Sequence, residues 1–224
     1  MYLSRVILND RKRDTQRALA SPQIIHGAVE SSFPRNGSRP ESARKRLLWR
    51  VDYVADKCCL LLLSEDRPDL TSLIQQFGYP DVQPQGETKA YAPFLDKLRN
   101  GQRWQFRLRA NPVRSSAREA DERTGRGKVF AHVTPEQQKQ WLMARAEGCG
   151  FAVKPEEFNV VHTDWKTFRK ATQGQHRVVL RTATFEGVLS ITDAERFRLA
   201  LTSGIGRAKA YGCGLMTIMP IAGG

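Results

Sequence analysis

The stretch "SPQIIHGAVESS" (21–32) holds the histidine best placed for chemistry. If Ser21 caps a helical turn with Pro22 in its first position, Ile25, Ala28 and Val29 form an inward stripe at i, i+3, i+4. Gln23, His26 and Glu30 then share the adjacent polar edge. An imidazole titrates near neutrality, so it can take a proton from a hydroxyl or give one to a leaving group. Gly27 would admit a close backbone approach beside it. The same geometry also suits a boundary histidine without a task.

A second candidate is "GIGRAKAYGCG" (204–214), glycine-rich and cationic. It is not G-x-x-x-x-G-K-[ST], and Lys209 stands where G-x-G-x-x-G would need its last glycine. A nucleotide-loop reading is therefore poor. Gly204 and Gly206 could instead let backbone N–H groups converge on an oxyanion, with Arg207 and Lys209 adding charge. A helix cap and a tight turn would use some of these glycines anyway. In "RWQFRLRANPVR" (103–114), period-2 alternation puts Phe106, Leu108 and Ala110 on one side and Arg103, Arg107 and Arg109 on the other. A guanidinium row fits phosphates, and it equally fits a solvated face. Arg114, Arg118, Arg123 and Arg126, with Lys128, could extend the row. Alternatively they belong to a linker balanced by Glu119, Asp121 and Glu122.

The other histidines are weaker candidates: His132 and His162 fall in expected strands, and His176 opens one. With no i, i+4 histidine pair and no H-E-x-x-H, the expectation is metal-free chemistry without a cofactor. Cys58, Cys59, Cys149 and Cys213 form no C-x-x-C, so buried reduced thiols are expected rather than zinc or disulfides.

The formal charge of +13 is distributed, with 20 basic against 12 acidic residues up to Ser115 and 16 against 11 after it. A folded body this basic points to a polyanion, nucleic acid first. The start "MYLSRVIL" lacks a signal-peptide pattern, and no apolar run is long enough to span a bilayer. A soluble, cytoplasmic protein that meets no membrane is expected.

Around these candidates the element order reads twice as β-α-β-β-α-β. The first series is a strand at 2–9, a helix at 14–32 interrupted at Ser21-Pro22, strands at 47–54 and 58–65, a helix at 68–78 and a strand at 103–113. After a polar connection (114–127) come a strand at 128–133, a helix at 134–148 capped by Thr134, strands at 156–168 and 176–192, a helix at 193–204 and a strand at 214–221. This predicts an α+β protein of two tandem ferredoxin-like units, 1–115 and 116–224.

"MYLSRVIL", "FRLRANP", "FEGVL" and "GIGRAKAYGCGL", in this order, resemble the CasE family, the CRISPR RNA-processing endoribonucleases of the type I-E Cascade system. The resemblance runs from Met1 to about Pro220. It implies two ferredoxin-like domains and metal-free cleavage of CRISPR repeat RNA at the 3′ base of its stem-loop. Attack by a ribose 2′-OH would leave a 2′,3′-cyclic phosphate and a 5′-OH. It further implies that the product RNA is retained and that other Cascade subunits are partners. The family's histidine, upstream of a Phe-Pro, falls on His26. Some members carry a tyrosine three residues earlier, where Gln23 stands here, so the second catalytic group is left open among Lys209, nearby arginines and Tyr2. The competing expectation is a non-catalytic RNA-hairpin-binding module or assembly subunit.

Overall fold

The computed structural model describes residues 1–33, 47–81, 86–120, 127–169 and 177–221. The chain opens with β1 (Tyr2–Ile7), whose alternating side chains suit the centre of a sheet. Two short helices follow, α1 (Arg13–Ala20) and α2 (Pro22–Ser31). They separate at Ser21 because a residue before proline is driven out of the helical region; Ser21 sits at φ −125°, ψ 95°. Pro22 then opens α2, where its missing N–H costs nothing. Strands β2 (Leu48–Val54) and β3 (Lys57–Ser64), helix α3 (Thr71–Phe77) and β4 (Gly86–Ala90) complete the first series. The sheet order is β2-β3-β1-β4, with every pair antiparallel, which is the ferredoxin-like order.

The last strand of this sheet is a correction to the sequence expectation. "GETKA" (86–90) has no apolar alternation; it is a strand because the open edge of β1 supplies its hydrogen-bond partners. After the one-turn helix α4 (Ala92–Leu95), β5 (Arg103–Ala110), expected to close the first half, is central to the second sheet instead. It pairs with β10 (Arg177–Ile191) on one side and β11 (Met216–Met219) on the other. The sheets therefore change over between Ala90 and Arg103, ahead of the division expected at residue 115.

A second correction concerns the 114–127 connection. Val113–Ala120 is a strand, β6, that pairs with β7 (Gly127–Ala131) in a two-stranded hairpin outside both main sheets. Arg123, Arg126 and His176 lie outside the described residues. Helix α5 (Pro135–Ala146) carries the expected cap as a full capping box, Thr134 with Gln137. Strands β8 (Phe151–Ala152) and β9 (Phe158–Arg169) pair with β10, and α6 (Ala194–Ser203) precedes β11. The order β11-β5-β10-β9 repeats the arrangement of the first sheet, so the chain is α+β with two tandem ferredoxin-like units.

The units share a core. Leu48 and Leu63 of the first sheet are buried in one cluster with Phe106, Leu108, Phe185 and Leu215 of the second. A second cluster holds Ile25, Ala28 and Val29 of α2 against Val6, Leu60 and Leu62, so the expected inward stripe of α2 is present. Across the junction reaches Arg50 of β2, 1% exposed. Its Nε and Nη2 donate to Asp52, Nη2 also to Thr217 Oγ1, and Nη1 to the carbonyls of Arg107 and Leu215, all at 2.7–2.9 Å. All five guanidinium N–H groups are thereby satisfied, and three of these contacts cross to the other sheet. Burial pushes the pKa of this group down, and the Asp52 carboxylate opposes that shift.

Candidate active site and adjoining cleft

His26 lies on the outer edge of α2, with its side chain 22% exposed. Nε2 is 3.5 Å from Glu30 Oε1, one turn along the helix, and Nδ1 has no hydrogen-bond partner. The imidazole meets Tyr211 edge to face, with ring centroids 6.5 Å apart at 68°. Tyr211 is braced on its other side by Phe168 of β9, at 4.7 Å and 62°. A helix of the first unit and a turn and a strand of the second thus converge on one imidazole.

This contact explains the glycine-rich segment. Gly204 ends α6 at φ +76°, and Lys209–Tyr211 forms a single 3₁₀ turn held between left-handed residues, Ala208 at φ +60° and Gly212 at φ +76°. A Cβ on Gly212 would lie 2.6 Å from the Trp49 ring, and one on Gly206 3.0 Å from the Trp141 ring. Glycine is required at both positions because the backbone turns there against an indole face. Of the expected oxyanion glycines, the Gly204 N–H already donates to Ala200 O, and around it Ile205 N–H donates to Gly214 O, Gly214 to Arg109 O, Tyr211 to Ala208 O and Gly212 to Lys209 O. The segment's evident work is to seat Tyr211 beside His26. Arg207 is exposed and Lys209 half-buried on the same turn. Cys213 is fully enclosed, and burial pushes its thiol up to about 12, which removes it as a nucleophile.

The arginine row of β5 is present but not bare. Phe106, Leu108 and Ala110 are buried, and the arginines take the other face, as alternation requires. Arg103 pairs with Glu157 at 2.8 Å. Arg107 stands between Glu186 (2.9 Å) and Asp52 (3.4 Å). Arg109 reaches Thr182 Oγ1 at 3.4 Å, and its Nε has no acceptor. Arg114 and Lys128 are brought together on the β6–β7 hairpin, where both lie over the Phe130 ring, at 5.1 and 5.4 Å. The cations between Arg103 and Lys128 therefore fall into two places, a carboxylate-laced sheet face and the separate β6–β7 hairpin, with Arg207 and Lys209 in a third on the glycine-rich turn.

Between α2, β2 and the face of the second sheet opens a cleft of about 570 Å³. It is lined by Pro22 and Ile25 of α2, by Tyr211, the residue that meets His26, and by Arg107, Arg109 and Lys166 of the second sheet. Burial works to raise Asp164, but the hydrogen bond and charge of Lys166, with Arg109 and His162, outweigh it and hold this carboxyl below its ordinary value. Lys166 Nζ is 2.9 Å from Asp164. Sequence reasoning missed Tyr211 and Trp49. The available signal for the first was its position as the sole aromatic in "GIGRAKAYGCG". No cluster of three His, Cys, Asp or Glu suited to a metal occurs among the described residues. No helix among them is long and apolar enough to cross a membrane.

Two ferredoxin-like units joined through a shared core, with a partly open histidine at their junction, define the class of protein. Residues 1–220 match the family model described as CRISPR associated protein, and the chain belongs to that family. It is 31% identical over 229 residues to the CRISPR-associated endoribonuclease Cse3 of Thermus thermophilus, covering 98% of this chain and all of the relative. It is 28% identical to the CRISPR system Cascade subunit CasE of Escherichia coli K12, covering 99% and 100%. Among solved structures, Cse3 bound to a 19 nt RNA superposes with a TM-score of 0.79 at 29% identity, covering 98% of this chain and 100% of that one.

Proposed function

We propose that this chain is a metal-independent endoribonuclease that cuts the repeat stem-loop of a CRISPR precursor RNA at its 3′ base and keeps the product. Repeat RNA and the other subunits of a Cascade complex are its partners, and the cytoplasm is its compartment. The relatives named for this activity support the reading, and so does one observation: the partly open imidazole of His26, walled by Tyr211 where the two units meet. In the reaction the 2′-oxygen bonds to the adjacent phosphorus as its proton leaves. The bond from phosphorus to the 5′-oxygen breaks, and that oxygen takes up a proton. The products are a 2′,3′-cyclic phosphate and a 5′-OH, with no net gain or loss of protons. His26 carries a proton in one of these transfers.

The cations divide the remaining work. Arg114 and Lys128, which lie over the Phe130 ring on the hairpin, and Arg207 on the exposed turn suit phosphates of the stem. The cation that steadies the phosphorane stays open among Lys209, on the turn that carries Tyr211, and the arginines nearby. The test is cleavage of a repeat hairpin in EDTA. Wild type should cut it, and His26→Ala should slow cutting by roughly 100- to 10,000-fold while binding persists. Binding without cleavage by wild type would instead make the chain a hairpin-holding module or assembly subunit.

A further inference from the structure

The cleft beside His26 has features that phosphate binding does not explain. Most of its charges are paired: Arg107 sits between Asp52 and Glu186, Lys166 is paired with Asp164, and Arg109 reaches Thr182 Oγ1. Its walls include three aromatic side chains, Trp49, Tyr53 and Tyr211. At about 570 Å³ the space lies within the range of small-ligand pockets. A largely charge-paired, aromatic-walled cavity of this size is matched to a nucleobase and its ribose, whose flat faces stack on aromatic side chains and whose ring nitrogens and carbonyls accept hydrogen bonds.

Resting on the nuclease reading above, we propose that this cleft is a nucleoside pocket that takes the unpaired base on the 3′ side of the cut. Tyr211 forms a wall of the cleft and also touches the His26 ring, so an occupant lies directly behind the catalytic group. The nucleotide on the 5′ side of the cut closes the stem, and its base is held in the helix. The base on the 3′ side has no partner and can be splayed out and stacked. Docking it in the cleft pulls the strand across the imidazole and bends the linkage at the phosphate, which is the geometry that in-line attack requires. The pocket therefore acts on the rate of cutting and little on the grip of the stem.

The experiment compares a repeat hairpin carrying a natural 3′ nucleotide with one carrying an abasic ribose there, in single-turnover cleavage by the full chain. Wild type should cut the abasic RNA about tenfold more slowly, the scale of one lost stacking contact, with hairpin affinity unchanged. Tyr53→Ala alters a largely exposed wall and should shrink that penalty towards unity, chiefly by slowing the natural RNA. A second readout needs no cleavage: 2-aminopurine at that position, bound to His26→Ala, should lose fluorescence as it stacks. Equal cutting of both RNAs, or 2-aminopurine emission unchanged at saturating protein, overturns the pocket while leaving the nuclease standing. No cutting of either RNA overturns the nuclease reading and the pocket with it.

Discussion

The two units share one strand order and contribute opposite things to the site. The first presents His26 on an ordinary amphipathic helix, whose stripe of Ile25, Ala28 and Val29 needs only its own sheet to pack on. The second presents Tyr211 on a single turn held between left-handed residues, braced on Phe168 and fitted to Trp49 of the other unit. One side is robust because a helix face tolerates small changes. The other is brittle because several backbone positions must each stay in a conformation that most residues avoid. The junction between them is fixed by shared apolar packing and by the buried Arg50.

The sharpest way to break this contrast is at the junction. Arg50→Ala leaves Asp52 buried with only the longer contact from Arg107 and strands the acceptors Arg107 O, Leu215 O and Thr217 Oγ1. It should cost about 3–5 kcal/mol in denaturant unfolding, and Arg50→Lys should recover only part, since an ammonium cannot supply five donors. Next comes the brittle side. Gly212→Ala places a Cβ within 2.6 Å of the Trp49 ring at a positive φ. A loss of about 1–3 kcal/mol is expected, together with a fall in cleavage rate as Tyr211 leaves the His26 ring. Wild-type activity in this variant would show that the turn does not position the histidine.

The robust side gives smaller effects. Gly27 is helical, and a Cβ there meets nothing within 4 Å. Gly27→Ala should raise stability by about 0.5–1 kcal/mol in thermal unfolding and leave cutting intact. Slower cutting by this more stable protein would place the RNA backbone against the open side of α2. The smallest effect concerns His132, between the hairpin and α5. Burial, then the charges of Arg114 and Arg145, lowers its pKa in the fold. The neutral ring is thus favoured when folded. Its contribution is fully present above the unfolded value of about 6.5 and lost as pH falls through that value towards the folded one. From about pH 7.5 to about pH 5.5, His132→Gln should lose slightly less stability than wild type, measured as the shift in melting temperature.

How far the sequence could be read depended on how each feature is encoded. The stripe of α2, the alternation of β5 and the cap at Thr134 are local patterns, and each is present where the spacing placed it. Strand β4 was not legible, because "GETKA" has no pattern of its own and forms on the edge of β1. The same omission moved β5 into the wrong half, since counting strands along the chain then ran one short. The arginine row was read correctly as one face, but its neutralisation by Asp52 and Glu186 was not, because those carboxylates come from other strands.

The chain by itself determined that a histidine would stand on the polar margin of a short helix, that the body would be strongly basic, and that two similar units would be built. Those facts follow from residue type and short-range period, which any local segment carries. Only the tertiary structure decided that Tyr211 would meet His26, that Arg50 would bind across the units and that an aromatic-walled cleft would open beside the imidazole. Each of these brings together residues far apart in the chain. Such meetings are set by which faces must be buried together, and no local period records that.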